Sequence, residues 1–270
     1  MMKPRDAATV MLVRDAPDLH VFLAQRNVDS VWIAGASVFP GGAIDPDDRH
    51  PRWEARSTGW DDGTASAALG LRGGGLGFWV GAIRETFEEA GVLLAQRRDG
   101  EPVDASAPEF VIARRELNAG ALTFGAFVDE HDLVLRTDQL HVFSHWVTPP
   151  GSPRRYDTWF FVGAAPPGVY EHDHTELVAS AWRRPVDTLA AADRGELDLI
   201  FPTRKSLEAM VPYGGADEFL RAARQASTSP VDGGLAVIAE PSGGRRIALP
   251  HDTDTDADAD AGGGAMPCPT

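Results

Sequence analysis

The chain has 270 residues, a single cysteine and a formal net charge of -15, which fits one large domain, or one domain with an insertion, in a reducing cytoplasmic setting. No run approaches the roughly 18 apolar residues of a membrane span, so no membrane partner is expected. The acidic balance argues against nucleic-acid binding, yet a local arginine cluster or a bound metal leaves room for a small anionic substrate.

The chain begins with two predicted strands, "AATVMLVRD" (7–15) and "LHVFLAQR" (19–26), on either side of a turn at 16–18. Both are rich in Val, Leu and Phe and are bounded by polar residues. The "FPGG" that follows predicts a sharp loop, because glycines permit backbone angles that other residues avoid. Residues 46–75 are rich in Gly, Asp and Arg. They are interpreted as an insertion over the surface, with a short helix near 64–71.

An amphipathic helix is predicted after this insertion and should end at Gly91, the residue type favoured just past a helix C-terminus. At the helical period, four apolar residues fall on one face: Trp79, Ile83, Phe87 and Ala90. This stripe should face a core. The opposite face carries three carboxylates: Glu85, Glu88 and Glu89.

The second half of the chain interleaves helical and strand patterns, which argues against a purely parallel sheet. Residues 106–135 look helical, with these apolar anchors: Phe110, Ile112, Leu117, Leu122, Phe124 and Phe127. Strand patterns cover 141–150, 156–166 and 176–185, helical patterns follow, and a hairpin closes around "PSGG". Residues 251–270 repeat Asp at alternate positions but lack the glycine turn and terminal Glu of an EF-hand calcium loop. They are predicted to be a disordered acidic tail.

The three carboxylates admit two interpretations. The first is a solvated helix face, since charge routinely coats exposed helices and Arg84 can pair with Glu88 at i, i+4. The second is a metal site. Glu85 and Glu89 repel each other at i, i+4, and the helix dipole disfavours negative charge at this end. A divalent cation with oxygen ligands, Mg²⁺ or Mn²⁺, removes both penalties and leaves room for substrate phosphates.

Two segments together, "FPGGAID" (39–45) and "RETFEEAGV" (84–92), resemble the signature of the Nudix hydrolase family. The second segment matches Arg-Glu-apolar-x-Glu-Glu-x-Gly-apolar, with Thr86 at the first apolar position. The first half departs from the pattern, because residues 46–75 intervene and Leu76 stands where the family has its first Glu. Three acids could supply that charge: Asp45, Asp47 and Asp48. An insertion at this place resembles the acyl-coenzyme A diphosphatase branch, as do "HWVTPP", "RRYDTWFF" and "AWRRP".

The resemblance implies an α/β fold, a Nudix-type α/β/α sandwich with a mixed β-sheet. It would form one domain over 1–250, with the insertion at about 46–75 and the tail at 251–270. The implied activity is metal-dependent hydrolysis of a pyrophosphate bond, above all in coenzyme A or acyl-CoA, to 3′,5′-ADP and (acyl-)4′-phosphopantetheine. The alternatives are hydrolysis of ADP-ribose, NADH or a nucleoside diphosphate sugar, and a non-catalytic ligand-binding Nudix domain. The partner is then a small nucleotide, and a homodimer is left open.

The resemblance also assigns roles to individual residues. Mg²⁺ or Mn²⁺ would be held by Glu85 and Glu89, with Glu88 as a third ligand. Arg84 would orient a carboxylate, and the general base would be either a helix glutamate such as Glu88 or else Glu176. Substrate contacts are expected from five residues: Arg26, Gly41, Gly42, Arg154 and Arg155. A zinc site is not predicted, because these histidines lack paired cysteines and tight helical spacing: His141, His145, His172 and His174.

Overall fold

Strands and helices alternate along the chain in the computed structural model, which describes residues 3–27, 35–168, 170, 172–173, 176–228, 230–231, 234–235, 237–239 and 245–247. The strands are β1 Arg5–Asp15, β2 Leu19–Arg26, β3 Ser37–Val38, β4 Gly41–Ala43, β5 Ala95–Arg97, β6 Leu133–Leu135, β7 His141–Val147, β8 Tyr156–Ala164, β9 Leu177–Arg183, β10 Pro230–Val231, β11 Gly234–Leu235, β12 Val237–Ala239 and β13 Arg245–Ile247. The helices are α1 Asp62–Leu69, α2 Leu76–Ala90, α3 Pro108–Asn118, α4 Phe124–Glu130, α5 Pro185–Asp193, α6 Phe201–Met210 and α7 Ala216–Thr228. Short 3-10 helices lie at Pro46–Arg49, Pro51–Arg56 and Thr137–Gln139.

Within the described residues, one nine-stranded sheet has the order β12-β13-β7-β8-β1-β2-β3, with β4 beside β1 and β9 beside β2. β1 and β8 run parallel, and the other pairs in this sheet run antiparallel. The edge of β1 away from β8 is divided, because residues 7–9 pair with β4 and residues 13–15 pair with β2. This fork sets the glycines of β4 beside the first half of β1.

Helices cover both faces of the sheet because its strands are apolar on both faces. Val10 and Leu12 of β1 belong to a core shared with α2, whereas Met11 and Val13 belong to a core shared with α6 and α7. This alternation is that of a strand buried on both sides. The predicted stripe of α2 is fully buried in the first core: Trp79, Ile83, Phe87 and Ala90. The prediction of an α/β/α sandwich with a mixed sheet is therefore confirmed.

The segment 46–75 contributes to the core, so the expectation that it lies over the surface is wrong for its apolar residues. Trp53 is 1% exposed, and Leu69 of the predicted short helix is also buried in the core that contains α2. The Trp53 ring packs against Phe124, with centroids 5.7 Å apart. Its indole N–H donates to the Asp47 carbonyl at 2.7 Å. With that hydrogen bond made, the ring can be buried without leaving a polar atom unpaired.

The second half of the chain follows the predicted pattern with two changes. The helical region 106–135 divides into α3, α4 and β6, and Gly120 adopts a φ of 67° just after α3. Ile112, predicted as an apolar anchor, is 54% exposed, because it stands about 200° around the helix from the buried Phe110. The C-terminal hairpin is confirmed by the antiparallel pairing of β12 with β13, and the predicted tail at 251–270 lies outside the described residues. In the described ranges, no helix combines the length and apolar character needed to cross a membrane.

Candidate active site

The last turns of α2 carry the three carboxylates into a site that is largely shielded from water. The helix ends as predicted at Gly91, which has a φ of 68° and donates its N–H to the Phe87 carbonyl. The side chains of Glu85 and Glu88 are 14% and 20% exposed, and Glu89 is buried. The interpretation as a solvated helix face is therefore wrong, and the charges need compensation from neighbours or a ligand.

Arg84 is a buried guanidinium that binds carboxylates on both sides. Its Nε and Nη2 donate to Asp48, both at 3.0 Å. Its Nη1 donates to Glu85 and Glu88, each at 2.9 Å, and Nη2 also donates to the Ala43 carbonyl. Burial lowers the pKa of Arg84, but the hydrogen bond to Asp48 and the surrounding carboxylate charges outweigh it and raise the pKa. These contacts are those of the carboxylate-orienting residue that the resemblance implies.

Of the three acids that could replace the missing Glu, Asp48 is the one that binds Arg84. It is buried, and it also accepts a hydrogen bond from the Asp45 backbone N–H at 2.8 Å. Burial raises the pKa of Asp48 more than the hydrogen bond and charge of Arg84 lower it. Asp47 pairs with Arg52 instead, and the largely exposed Asp45 stays 3.9 Å from Arg84. Asp48 is therefore the upstream acid of the site, although 36 residues separate it from Arg84.

The two glycines of β4 bring the backbone against the carboxylates. The N–H of Gly41 donates to Oε2 of Glu89 at 2.7 Å. Gly42 lies so close to Glu85 that a Cβ there would be 2.6 Å from the carboxyl atoms. A Cβ on Gly41 would be 2.3 Å from the Ala8 carbonyl oxygen. Both positions therefore require glycine unless the neighbouring groups move.

Glu85 and Glu89 form a buried pair of like charges. Burial raises the pKa of Glu85 to about 7, with the charge of Arg84 acting against it. Burial, followed by the charge of Glu85, raises the pKa of Glu89 well above its usual range, while the Gly41 N–H and the charge of Arg26 lower it. A cation placed between the two carboxylates would favour the ionised form of both.

This donor set fits a divalent cation that also binds water and substrate. Among the described residues, no group of three or more His, Cys, Asp or Glu side chains is arranged to hold a metal ion alone. Mg²⁺ is usually bound through one or two carboxylates together with waters and substrate phosphates, so Glu85 and Glu89 suffice as protein ligands. Glu88, the third predicted ligand, is hydrogen-bonded to Arg84, as Glu85 is, and of the three glutamates Glu85 alone lines the neighbouring cavity.

A cavity of about 580 Å³ opens beside these carboxylates. Six of the predicted site residues line it: Arg26, Gly41, Gly42, Glu85, Arg154 and Glu176. Arg26 and Glu176 form an ion pair at 3.3 Å. Arg155 is not part of this lining, and its Nε donates to the Thr148 carbonyl at 2.9 Å, where it holds the loop between β7 and β8. Its position does not support the predicted contact with substrate.

An aromatic wall lines another part of this cavity: Trp146, Tyr156, Phe160 and Phe201. Trp146 is the kind of residue that the sequence predicts in a core or a cleft wall, whereas sequence patterns do not identify the other three. The Trp146 and Phe201 rings meet edge to face, with centroids 5.7 Å apart. Phe201 is the first residue of α6 and is 44% exposed. In the sequence its signal is a Phe-Pro pair that begins a helix, and such a pair does not indicate that the ring faces a cavity.

The region from α1 to α6 matches a known family: a family model described as the NUDT19 Nudix domain matches residues 65–207. The acyl-coenzyme A diphosphatase NUDT19 of Homo sapiens is 28% identical over 218 residues, which cover 68% of this chain and 58% of the human protein. The protein of that name from Gallus gallus is 27% identical over 249 residues, which cover 73% of this chain and 65% of the chicken protein. The chain thus spans less than two thirds of the length of these relatives.

A solved structure extends the likeness over most of the chain. The NUDIX hydrolase from Alicyclobacillus acidocaldarius aligns with a TM-score of 0.67 at 28% sequence identity. The alignment covers 82% of this chain and 97% of the bacterial one. It therefore extends over more of the chain than the residues 65–207 matched by the family model.

Proposed function

The chain belongs to the NUDT19 Nudix domain family, and we propose that this Nudix hydrolase cleaves the pyrophosphate bond of coenzyme A or an acyl-CoA. A water oxygen bonds to one phosphorus, the bond from that phosphorus to the bridging oxygen breaks, and the bridging oxygen leaves with the other phosphate. The products are 3′,5′-ADP and (acyl-)4′-phosphopantetheine. The human and chicken relatives, which carry the name acyl-coenzyme A diphosphatase, support this choice of substrate.

The observation that carries the proposal is the buried pair of Glu85 and Glu89 beside the cavity. Nudix hydrolases generally use divalent metals, and we assign Mg²⁺ or Mn²⁺ to this pair, with Glu88 next to it on α2. When bound, such a metal would neutralise phosphate oxygens and lower the pKa of a water. The pKa values of Glu85 and Glu89 are raised in the metal-free protein, so their ionised forms would be stabilised strongly by the positive charge of the metal.

The remaining residues of the site position these groups and the substrate. Arg84 fixes Glu85 and Glu88 through Nη1. Arg26 lines the cavity next to the glutamate pair, where its guanidinium can bind a phosphate oxygen. We assign the general base to Glu176, because it lines the cavity and Glu88 does not. Both carboxylates are bound by an arginine, but the Arg26–Glu176 pair is longer, at 3.3 Å, and Glu176 is exposed, whereas Glu88 is 2.9 Å from the buried Arg84.

The proposal is tested by a product assay with purified protein and Mg²⁺ or Mn²⁺. Coenzyme A, acetyl-CoA, ADP-ribose, NADH and a UDP-sugar are incubated separately, and the nucleotides are resolved by chromatography. The expected result is 3′,5′-ADP from coenzyme A, lost with chelator and with Glu89→Gln. Glu101→Gln is the matched control, because Glu101 is exposed and does not line the cavity.

Two other outcomes are informative. Cleavage of ADP-ribose or NADH in place of coenzyme A would keep the role of Glu89 and refute the substrate. Metal binding without cleavage of any of these compounds would favour the non-catalytic ligand-binding alternative.

A further inference from the structure

Two arginines are found among the described residues that line the cavity, and they differ in their partners. Arg26 is paired with Glu176 and lies near Glu89. Arg154 is exposed, and it forms no hydrogen bond or ion pair with another described residue. The cavity therefore offers one cation within the carboxylate region and a second cation whose charge is not matched by the protein. A substrate with a second anionic group, apart from its diphosphate, would match this arrangement.

Arg154 lines the same cavity as the aromatic wall and lies next to two of its residues along the β7–β8 hairpin. It lies in the loop between β7 and β8, two residues before Tyr156, and β7 supplies Trp146. The Trp146 indole is held in place, because its N–H donates to the Ser144 hydroxyl at 3.0 Å. Trp146 and Phe160 are buried, so the accessible rings of the wall are those of Tyr156 and Phe201. An accessible aromatic face stacks on a purine base with little demand for specific hydrogen bonds. Phe201 is 44% exposed and is the more accessible of the two.

We propose that this wall receives the adenine and that Arg154 binds the 3′-phosphate on the ribose, which makes Arg154 a specificity-determining residue. The inference rests on the proposed function, since it assumes that the diphosphate of coenzyme A lies at the Glu85–Glu89 pair. The nucleotide then extends to one side of that pair and the pantetheine to the other. The pantetheine arm carries no charge and no aromatic ring, so it complements neither Arg154 nor the wall. The nucleotide arm carries both, within a few bonds of each other. NADH, ADP-ribose and dephospho-CoA lack the 3′-phosphate and would leave Arg154 unpaired.

The expected size of the effect follows from the exposure of Arg154. A guanidinium binds a phosphate through charge-assisted hydrogen bonds, and solvent screens an exposed pair. We therefore expect the 3′-phosphate to improve binding about tenfold, which is the lower end for such a contact.

The experiment compares kcat/KM for coenzyme A and 3′-dephospho-CoA, which differ by this phosphate alone. The wild-type protein should prefer coenzyme A about tenfold, and Arg154→Gln should reduce the preference to within about twofold by slowing coenzyme A alone. Arg154→Lys should retain part of it, because a charge remains without the planar fork. Arg115→Gln is the matched control, since it removes an exposed arginine from α3, away from the cavity lining, and should keep the full preference.

A binding measurement separates this inference from the proposed function. Calorimetry with adenosine 3′,5′-bisphosphate and AMP needs no turnover. If coenzyme A is not hydrolysed but the bisphosphate binds more tightly than AMP, and Arg154→Gln removes the difference, the proposed function fails and the phosphate site stands. If coenzyme A is hydrolysed and Arg154→Gln keeps the preference, or slows both substrates equally, the inference is overturned and the proposed function stands.

Discussion

Replacing Asp48 by Asn should destabilise the protein by about 3 kcal/mol, because Asp48 is the main partner of a buried guanidinium. Both donors of Arg84 that face Asp48 are 3.0 Å from its oxygens, and Asp48 is 2% exposed. Breaking a buried ion pair by removing one partner costs about 3–5 kcal/mol, since the other charge stays buried. Asn keeps one oxygen acceptor but turns an N–H₂ group toward the guanidinium, so the lower end of that range is expected.

The assay is equilibrium unfolding in urea at neutral pH. With an m-value of about 3 kcal/mol/M for a chain of this size, the midpoint should fall by about 1 M. Asp47→Asn is the matched control, because Asp47 pairs with Arg52 at the surface, where an ion pair contributes about 0.2–1 kcal/mol. The kcat of Asp48→Asn should also fall, since Arg84 would no longer hold Glu85 and Glu88 in fixed positions.

A double-mutant cycle makes the reasoning refutable. Asp48→Asn combined with Arg84→Gln should cost clearly less than the sum of the two single changes, because both remove the same contact. A loss below about 1 kcal/mol for Asp48→Asn, equal to that of Asp47→Asn, would show that Asp48 is not the buried partner of Arg84.

Four further outcomes are expected. Gly42→Ala should lower kcat/KM at least about tenfold with the fold retained, because its Cβ would displace the Glu85 carboxyl. Gly63→Ala in α1 is the control and should leave activity unchanged. Equal rates for the two variants would contradict the close approach of Gly42 to Glu85. In metal-free protein, stability should fall as pH rises from the unfolded pKa near 4.5 through the folded pKa of Glu85, about 7. Glu85→Gln should therefore gain about 3 kcal/mol well above pH 7 and nothing at pH 4, which thermal melts can check. Mg²⁺ at about 100 times its Kd should stabilise the wild type by about 2.7 kcal/mol, and Glu89→Gln should abolish most of that gain. Trp53→Ala should cost about 3–5 kcal/mol in urea unfolding, as expected for a buried ring and not for a surface segment.

Local periodicity accounts for what could be predicted about α2. The stripe that begins at Trp79 follows the helical period, and Gly91 ends the helix in the left-handed conformation that favours glycine. Both depend on residues within one helix, so the order of residues is sufficient to place them. The helical period also predicts that Glu85 and Glu89 cluster at one end of this helix.

Tertiary contacts decide what could not be predicted. The sequence offers Asp45, Asp47 and Asp48 as equivalent candidates, and the short 3-10 turns after β4 determine which of them reaches Arg84. Arg154 is a further example, since it stands beside Arg155 in the sequence and the loop path decides which of the two lines the cavity. Contacts between segments far apart in the chain carry no local periodic signal.

The fold of segment 46–75 has a consequence for the entropy of the unfolded chain. The contact between Asp48 and Arg84 closes a loop of 36 residues, whereas a direct connection of about 8 residues would lower the closure cost by about 1.3 kcal/mol. Burying one large apolar side chain contributes about 1.5–3 kcal/mol, so Trp53 by itself offsets the added length. The spacing between the two halves of the site can therefore vary by tens of residues among related chains at almost no thermodynamic cost, provided that the intervening segment buries an anchor of its own.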